Sequence, residues 1–255
     1  MGEAQPNAHA SASNLPLGET LSIQVYLAIR DRIFRGEWLP GTRLTLRALA
    51  RELGTSVQPV RDAISKLTVE RVLVLRPNHS VQLPGIDRPM LDEIFSLRNI
   101  LEGEAARLAA TAMSDSDLDA LQAVIRATRR VYTLEVPIPL RVAAIQEVAR
   151  VLAAGCRSNT IEEQIINLRT RTAPFYAAAL SRNDLEDREF VAFTTRIQDE
   201  FIDALRRRDP VAAAEIRKVD LYTFQQHIYR LLSLDDRYPP DERRTVTQRL
   251  TGAYS

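Results

Sequence analysis

Leu49-Ala50-Arg51-Glu52-Leu53-Gly54-Thr55-Ser56-Val57-Gln58-Pro59-Val60-Arg61-Asp62-Ala63-Ile64-Ser65-Lys66-Leu67 is the stretch on which the fold turns. With Leu46, the residues Leu49, Ala50 and Leu53 recur at helical spacing, and Gly54 suits the left-handed position that ends a helix. Ser56 stands where a helix N-cap belongs, and Pro59 falls in the first turn, where a missing N–H is harmless. Val60, Ile64 and Leu67 then line one side of a second helix that runs to about Glu70. Two short helices with a tight turn between them are the signature of a helix-turn-helix.

The flanks extend this reading. Upstream, Leu21, Val25, Ala28, Ile29 and Ile33 form an apolar helix face, with Thr20 or Ser22 as cap and Gly36 as stop. Trp38-Leu39-Pro40-Gly41 reads as a turn. Downstream, Val72–Leu75 and Ser80–Leu83 are β-prone and separated by Arg76-Pro77-Asn78-His79, a hairpin pattern. Residues 18–84 therefore read as a winged helix-turn-helix and 85–89 as a linker. Beyond it, helical segments are expected near 90–112, 115–133, 140–155, 159–180, 187–207 and 210–234. The predicted class is mostly α, an N-terminal winged helix-turn-helix plus a C-terminal all-helical bundle of six or seven helices over 90–236. Residues 1–17 and 237–255 lack hydrophobic periodicity and read as a disordered tail and a loose C-terminal tail.

Composition narrows the function classes. The 34 basic and 33 acidic residues nearly cancel, so a nucleic-acid surface has to be local. Residues 18–85 carry ten basic and six acidic side chains, whereas 86–255 carry 24 and 26. The positive field belongs to the front domain. A single cysteine, Cys156, excludes an internal disulfide framework and fits a reducing, cytoplasmic setting. No apolar run approaches the roughly 20 residues that span a bilayer. With three histidines (His9, His79, His227) and no clustered carboxylate motif, general acid–base catalysis has no evident residue set, and the chain is not expected to be an enzyme.

Ile33-Phe34-Arg35-Gly36-Glu37-Trp38-Leu39-Pro40-Gly41-Thr42-Arg43-Leu44 and the quoted helix-turn-helix together resemble the GntR superfamily of bacterial transcription regulators. The helical half is similar to the FadR-type effector domain (FCD), through Arg98, Leu101-Glu102, Ala105-Ala106 and Leu108-Ala109-Ala110, then Ala204-Leu205 and Asp209 through Ala214. The resemblance covers about residues 20–235. It implies a ligand-responsive regulator, expected as a repressor, that binds a palindromic double-stranded DNA operator as a homodimer.

A recognition helix reaches base edges with its N-terminal residues, here Ser56, Val57, Gln58 and Arg61. Arg61 suits guanine and Gln58 adenine, each pairing adding about 1–3 kcal/mol of discrimination. By resemblance Arg47 contacts DNA; Arg51 and Lys66 are phosphate candidates, and Arg76, Asn78 and His79 form the wing. Val57 stands where the family commonly has arginine. A plainer reading of Arg47 and Arg51, as the solvated face of a helix, stays open.

Many domains of this type hold a metal through one Asp and three His. The corresponding positions here are Gln146, Arg150, Gln198 and Asp220, so the metal site is expected to be lost and no cofactor is expected. Arg98 and Arg150, with Gln146, Asn159, Gln198, Asp220 and Tyr222, are the candidate residues for a metal-free pocket binding a carboxylate or other small anion. Against this, Arg98 can pair with Glu102 and Arg150 with Glu147 as ordinary helix-surface bridges. The alternative is a ligand-independent dimeric DNA-binding protein with a degenerate effector domain.

Overall fold

A computed structural model describes residues 17–76, 80–133, 136–182 and 188–234. Along the chain it has α1 (Leu17–Phe34), β1 (Arg43–Leu44), α2 (Leu46–Glu52), α3 (Val57–Val69), β2 (Val74–Arg76) and β3 (Ser80–Gln82). There follow α4 (Arg88–Ala112), α5 (Asp115–Thr133), α6 (Ile138–Gly155), α7 (Asn159–Leu180), α8 (Arg188–Arg206) and α9 (Pro210–Leu231). Asn78 and His79 of the expected wing tip lie outside the described residues, as do 1–16 and 235–255.

The head forms around one apolar cluster. Val25, Ile29 and Ile33 of α1 meet Leu49 of α2, Val60, Ile64 and Leu67 of α3, and Val81 and Leu83 near the sheet, all buried. The helix α1 begins at Leu17, so Thr20 and Ser22 lie within it and neither is its cap. Ser22 has a tertiary role, its hydroxyl donating to Asp62 on α3 at 3.2 Å. Thr45 caps α2, its hydroxyl accepting from the Ala48 amide at 3.2 Å. The sheet is antiparallel with order β1-β3-β2, and Leu44 and Leu75 both pair with Val81. At two residues, β1 is too short for alternation to reveal it in sequence.

Among the described residues the back half is a bundle of six helices, α4 to α9. Arg88 and Pro89 belong to α4 rather than to a linker. Asp87 caps that helix by accepting from the Met90 amide at 3.3 Å, and proline is tolerated in its first turn. The helix α7 runs through the centre: from Leu168 to Leu180 every residue except Arg171 is buried. Ala173, Ala177, Ala178 and Ala179 let neighbouring backbones approach closely, while Tyr176 and Phe224 pack edge to face at 5.0 Å. No helix among the described residues is long and apolar enough to cross a membrane.

Head and bundle touch where α1 ends. Gly36 has φ +67°, and its amide donates to the Ile33 carbonyl at 2.8 Å while Glu37 N donates to Arg32 O at 3.1 Å, closing the helix. A methyl at Gly36 would stand 3.1 Å from Ala177 of α7 and from Val142 of α6. Left-handed backbone and tight packing thus coincide at this residue. Gly36→Ala is expected to destabilise the protein by about 1–2 kcal/mol in urea unfolding, from the backbone term alone. Gly54→Ala, also left-handed but with open space around it, should cost less because no packing is disturbed.

Candidate functional site

The outward side of the helix-turn-helix is cationic. Arg47 and Arg51 on α2 and Arg61 on α3 are exposed, and none forms an ion pair among the described residues. Ser56 occupies the N-cap of α3 without a side-chain cap bond, so its hydroxyl is uncommitted. Gln58 is exposed but donates to Asp62 Oδ1 at 2.9 Å, so a two-point contact with adenine requires it to leave Asp62.

Two of the expected contact residues also pack within the head. Val57 is half-buried against the head core. Lys66 is exposed on α3 and holds its ammonium 4.1 Å from the Tyr26 ring centre, a cation–π contact with α1. Arg76 is exposed on β2, with Nε donating to Gln82 at 3.3 Å. Ser65, one turn beyond Arg61, and Arg43 on β1 are exposed on the head and were passed over in sequence. The i+4 spacing from Arg61 was the available signal for Ser65.

The bundle encloses a charged centre built on Glu102. Its carboxylate is 1% exposed and accepts from Arg98 Nε at 2.8 Å, from Arg169 Nε and Nη2 at 3.0 and 2.7 Å, and from Arg217 Nη2. Arg98 also donates to the Tyr176 hydroxyl and, at 3.4 Å, to Thr172, while Arg217 donates to Asp220. Two guanidinium nitrogens, Arg98 Nη2 and Arg217 Nε, are buried without a hydrogen-bond partner. Three guanidiniums against two carboxylates leave the centre cationic when both acids are ionised.

Burial works against the Glu102 charge, but the surrounding arginines, Arg169 foremost, hold its carboxyl well below the usual range. Arg169 is brought down to about 10 by burial and by repulsion from Arg98. Burial pushes Asp220 up. Beside the arginines lies a cavity of about 40 Å³, walled by Arg169, Arg217, Asp220, Thr194, Gln198 and Phe224 among others. At roughly 10–15 Å³ per water, it has room for a few waters.

Of the expected pocket residues, Arg98, Gln146, Gln198 and Asp220 gather here. Arg98 does pair with Glu102, yet the pair is buried rather than a surface bridge. Gln198 lines the cavity and accepts from Arg129 at 3.0 Å. Arg150 turns to solvent and pairs with Glu147, because a step of four from Gln146 overshoots a full turn and leaves the edge of the buried stripe. Asn159 sits at the exposed start of α7, more than two turns before Arg169. Tyr222 is 56% exposed, since two residues from Asp220 is the far side of α9. Arg169 and Arg217 were missed in sequence; their signal was an arginine on an otherwise apolar helix stripe.

A divalent cation does not fit these residues. Asp220 is the lone carboxylate among the four family positions, Gln146 and Gln198 are held by Arg169 and Arg129, and three guanidiniums surround the site.

One hydrogen-bonded path leads from this centre to the head. Arg169 Nη1 donates to Gln146 Oε1 at 3.0 Å, and Gln146 Nε2 donates to the Arg169 carbonyl at 3.1 Å and to the Phe34 carbonyl at 3.4 Å. Phe34 is the last residue of α1. Asn167 adds a weaker contact, its amide donating to the Glu70 carbonyl at 3.5 Å.

Glu102→Gln leaves three buried cations without their shared anion and is expected to cost about 3–5 kcal/mol in urea unfolding. In the wild-type protein the stabilisation from Glu102 is complete above the ordinary carboxylate range. It is lost only as pH falls through the depressed folded value, so an acid titration of stability should decline less steeply in the variant.

Two family models match the chain: "Bacterial regulatory proteins, gntR family" over residues 21–82 and "FCD domain" over 93–230. The HTH-type transcriptional regulator McbR of Escherichia coli is 33% identical over 106 residues, covering 42% of this chain and 48% of McbR. The Nta operon transcriptional regulator of Aminobacter aminovorans is 31% identical over 83 residues, 32% of this chain and 40% of that protein. The chain thus spans about half the length, or less, of these curated relatives. In fold, the E. coli McbR/YncC structure superimposes with TM-score 0.74 at 22% identity, over 82% of this chain and 97% of the other. A GntR transcriptional regulator structure from Rhodococcus sp. RHA1 gives 0.62 at 21% identity, over 81% and 96%. The fold, the motif spacing and the match over more than half the chain agree: the chain belongs to the gntR family of bacterial regulatory proteins, in its FCD-domain, FadR-type branch.

Proposed function

We propose that this chain is a sequence-specific DNA-binding transcription regulator whose operator affinity is set by a small anion bound, without a metal, at the cationic centre of the bundle. The observation that carries this reading is the Arg169–Gln146–Phe34 path, which puts the charged centre one side chain away from the head. An anion that draws Arg169 to itself loosens Gln146 and with it the hold on the end of α1. The head then changes its placement and the operator is released, the behaviour of a repressor. A differential affinity of this kind typically amounts to about 1–3 kcal/mol.

Operator recognition is tested by selecting random duplexes and measuring fluorescence anisotropy. Arg61→Ala should weaken the selected site by about 1–3 kcal/mol and relax the preference at one position, whereas Arg47→Ala should weaken all sequences and lower the salt slope by about one. Equal effects on selected and random DNA in both variants would remove Arg61 from base readout.

Trp38 is the only tryptophan and lies four residues beyond Phe34, stacked under Arg32 at 4.2 Å. Its emission is therefore expected to shift when acetate or inorganic phosphate binds at the charged centre. Gln146→Leu should keep the anion-induced thermal stabilisation and lose the Trp38 response; a retained response would break the proposed path.

Dimerisation is assigned to the outer face of α4 and α9. Ile100 is 63% and Val211 70% exposed beside a shallow groove of about 540 Å³. The rim holds Glu104 with Arg107 and Glu215 with Lys218. A second copy related by a twofold axis meets apolar with apolar and acid with base on such a mixed surface. In sedimentation velocity the Ile100→Glu variant should run as a monomer while keeping the wild-type helical content.

A further inference from the structure

The two carboxylates of the buried centre are not equivalent. Glu102 is 1% exposed and held by three arginines, whereas the Asp220 side chain is 16% accessible, lines the cavity and holds on to Arg217 alone. The cavity of about 40 Å³ has room for a few waters, and Arg217 on its wall is already bonded to Asp220. For an anion to take the Arg217 nitrogen that Asp220 holds, Asp220 has to leave, and it has one arginine partner where Glu102 has three. Gln198 spends its amide oxygen on Arg129, which leaves its NH2 for a ligand, and Leu221 and Phe224 give the wall an apolar side.

We propose that Asp220 is an internal stand-in for the ligand: in the free protein it occupies the place on Arg217 that the carboxylate of a short organic acid takes on binding, and it takes up one proton as it is displaced. This rests on the reading that the bundle binds an anion, and it names the ligand's chemical class and its regulation by pH.

Two ionised carboxylates at one guanidinium repel, and that repulsion favours the neutral form of the acid that moves aside. The charge balances. Three guanidiniums, Glu102 and Asp220 in the free state are replaced by three guanidiniums, Glu102, the ligand carboxylate and a neutral Asp220, with the proton drawn from solvent. The charged groups facing Asp220 are Arg217 on its own helix, Glu102 with Arg98 behind it on α4, and Arg169 on α7. The side chains that α5, α6 and α8 add to the wall are uncharged. Burial already favours the protonated form of Asp220, which lowers the cost of the exchange.

The test is a titration of the full chain with sodium acetate, read by thermal unfolding against sodium chloride at equal ionic strength, at about pH 8, 7 and 6. For the wild type, acetate affinity should rise as pH falls, by up to about tenfold per unit, the limit for one linked proton. Asp220→Asn should bind acetate about tenfold or more tightly at about pH 8, with a flat pH profile. A flat profile in the wild type, or an Asp220→Asn variant that binds no better and keeps the wild-type slope, would overturn the stand-in role while leaving the anion site intact. Inorganic phosphate that binds where acetate does not would overturn the carboxylate class. No response to either anion beyond chloride, in both proteins, would overturn the pocket reading itself. Should Asp220→Asn fail to fold, Asp220→Ser serves as the second neutral variant, and the wild-type pH profile decides without either.

Discussion

The carboxylate of Glu102 is the point on which the bundle depends. It draws together guanidiniums from α4, α7 and α9 that would otherwise repel one another in a medium where charges are poorly screened. Desolvating four ionised groups is costly, and their mutual attraction offsets that cost when geometry and hydrogen bonding are good. The geometry here is good in detail: both carboxylate oxygens are occupied, and Arg169 approaches with two nitrogens. Compensation is incomplete, because Arg98 Nη2 and Arg217 Nε remain without partners. A centre of this kind contributes less to net stability than an apolar one of the same volume. It does hold a fixed cationic group of side chains inside a helical shell.

The same centre connects the two halves of the chain. Gln146 is bonded to Arg169 by both ends of its amide and also reaches the carbonyl of Phe34, so one side chain joins Arg169 to the end of α1. Gly36 makes the contact tight, since its missing side chain lets the turn after α1 rest on Val142 and Ala177. The rest of the head owes its order to its own apolar cluster. Head and bundle each have their own apolar core, and they meet where α1 and the turn after it pack against α7 and α6.

The outline of the fold was legible because its signals are local. Caps, glycine stops and apolar stripes placed α5 at 115–133 and α7 at 159–180, as observed, and the hairpin strands to within a few residues. The bundle site was only partly legible. Arg98 and Glu102 lie four apart on one helix, and their spacing is the same for a surface bridge as for a buried pair; burial by α7 and α9 made the difference. Arg150, Asn159 and Tyr222 were placed by counting along the chain, and counting does not reveal which way a helix is rotated. Arg169 and Arg217 escaped notice because an arginine inside a helix is ordinarily a solvated one.

What the sequence determined by itself is the order and extent of the helices, the helix-turn-helix with its cationic side, and the family to which they belong, all carried by residues close together in the chain. The tertiary structure alone decided the composition of the charged centre. Glu102 meets Arg169 across 67 residues and Arg217 across 115. Partners so distant are selected by how six helices rotate against one another as they bury their apolar stripes, and no single stretch of sequence records that rotation.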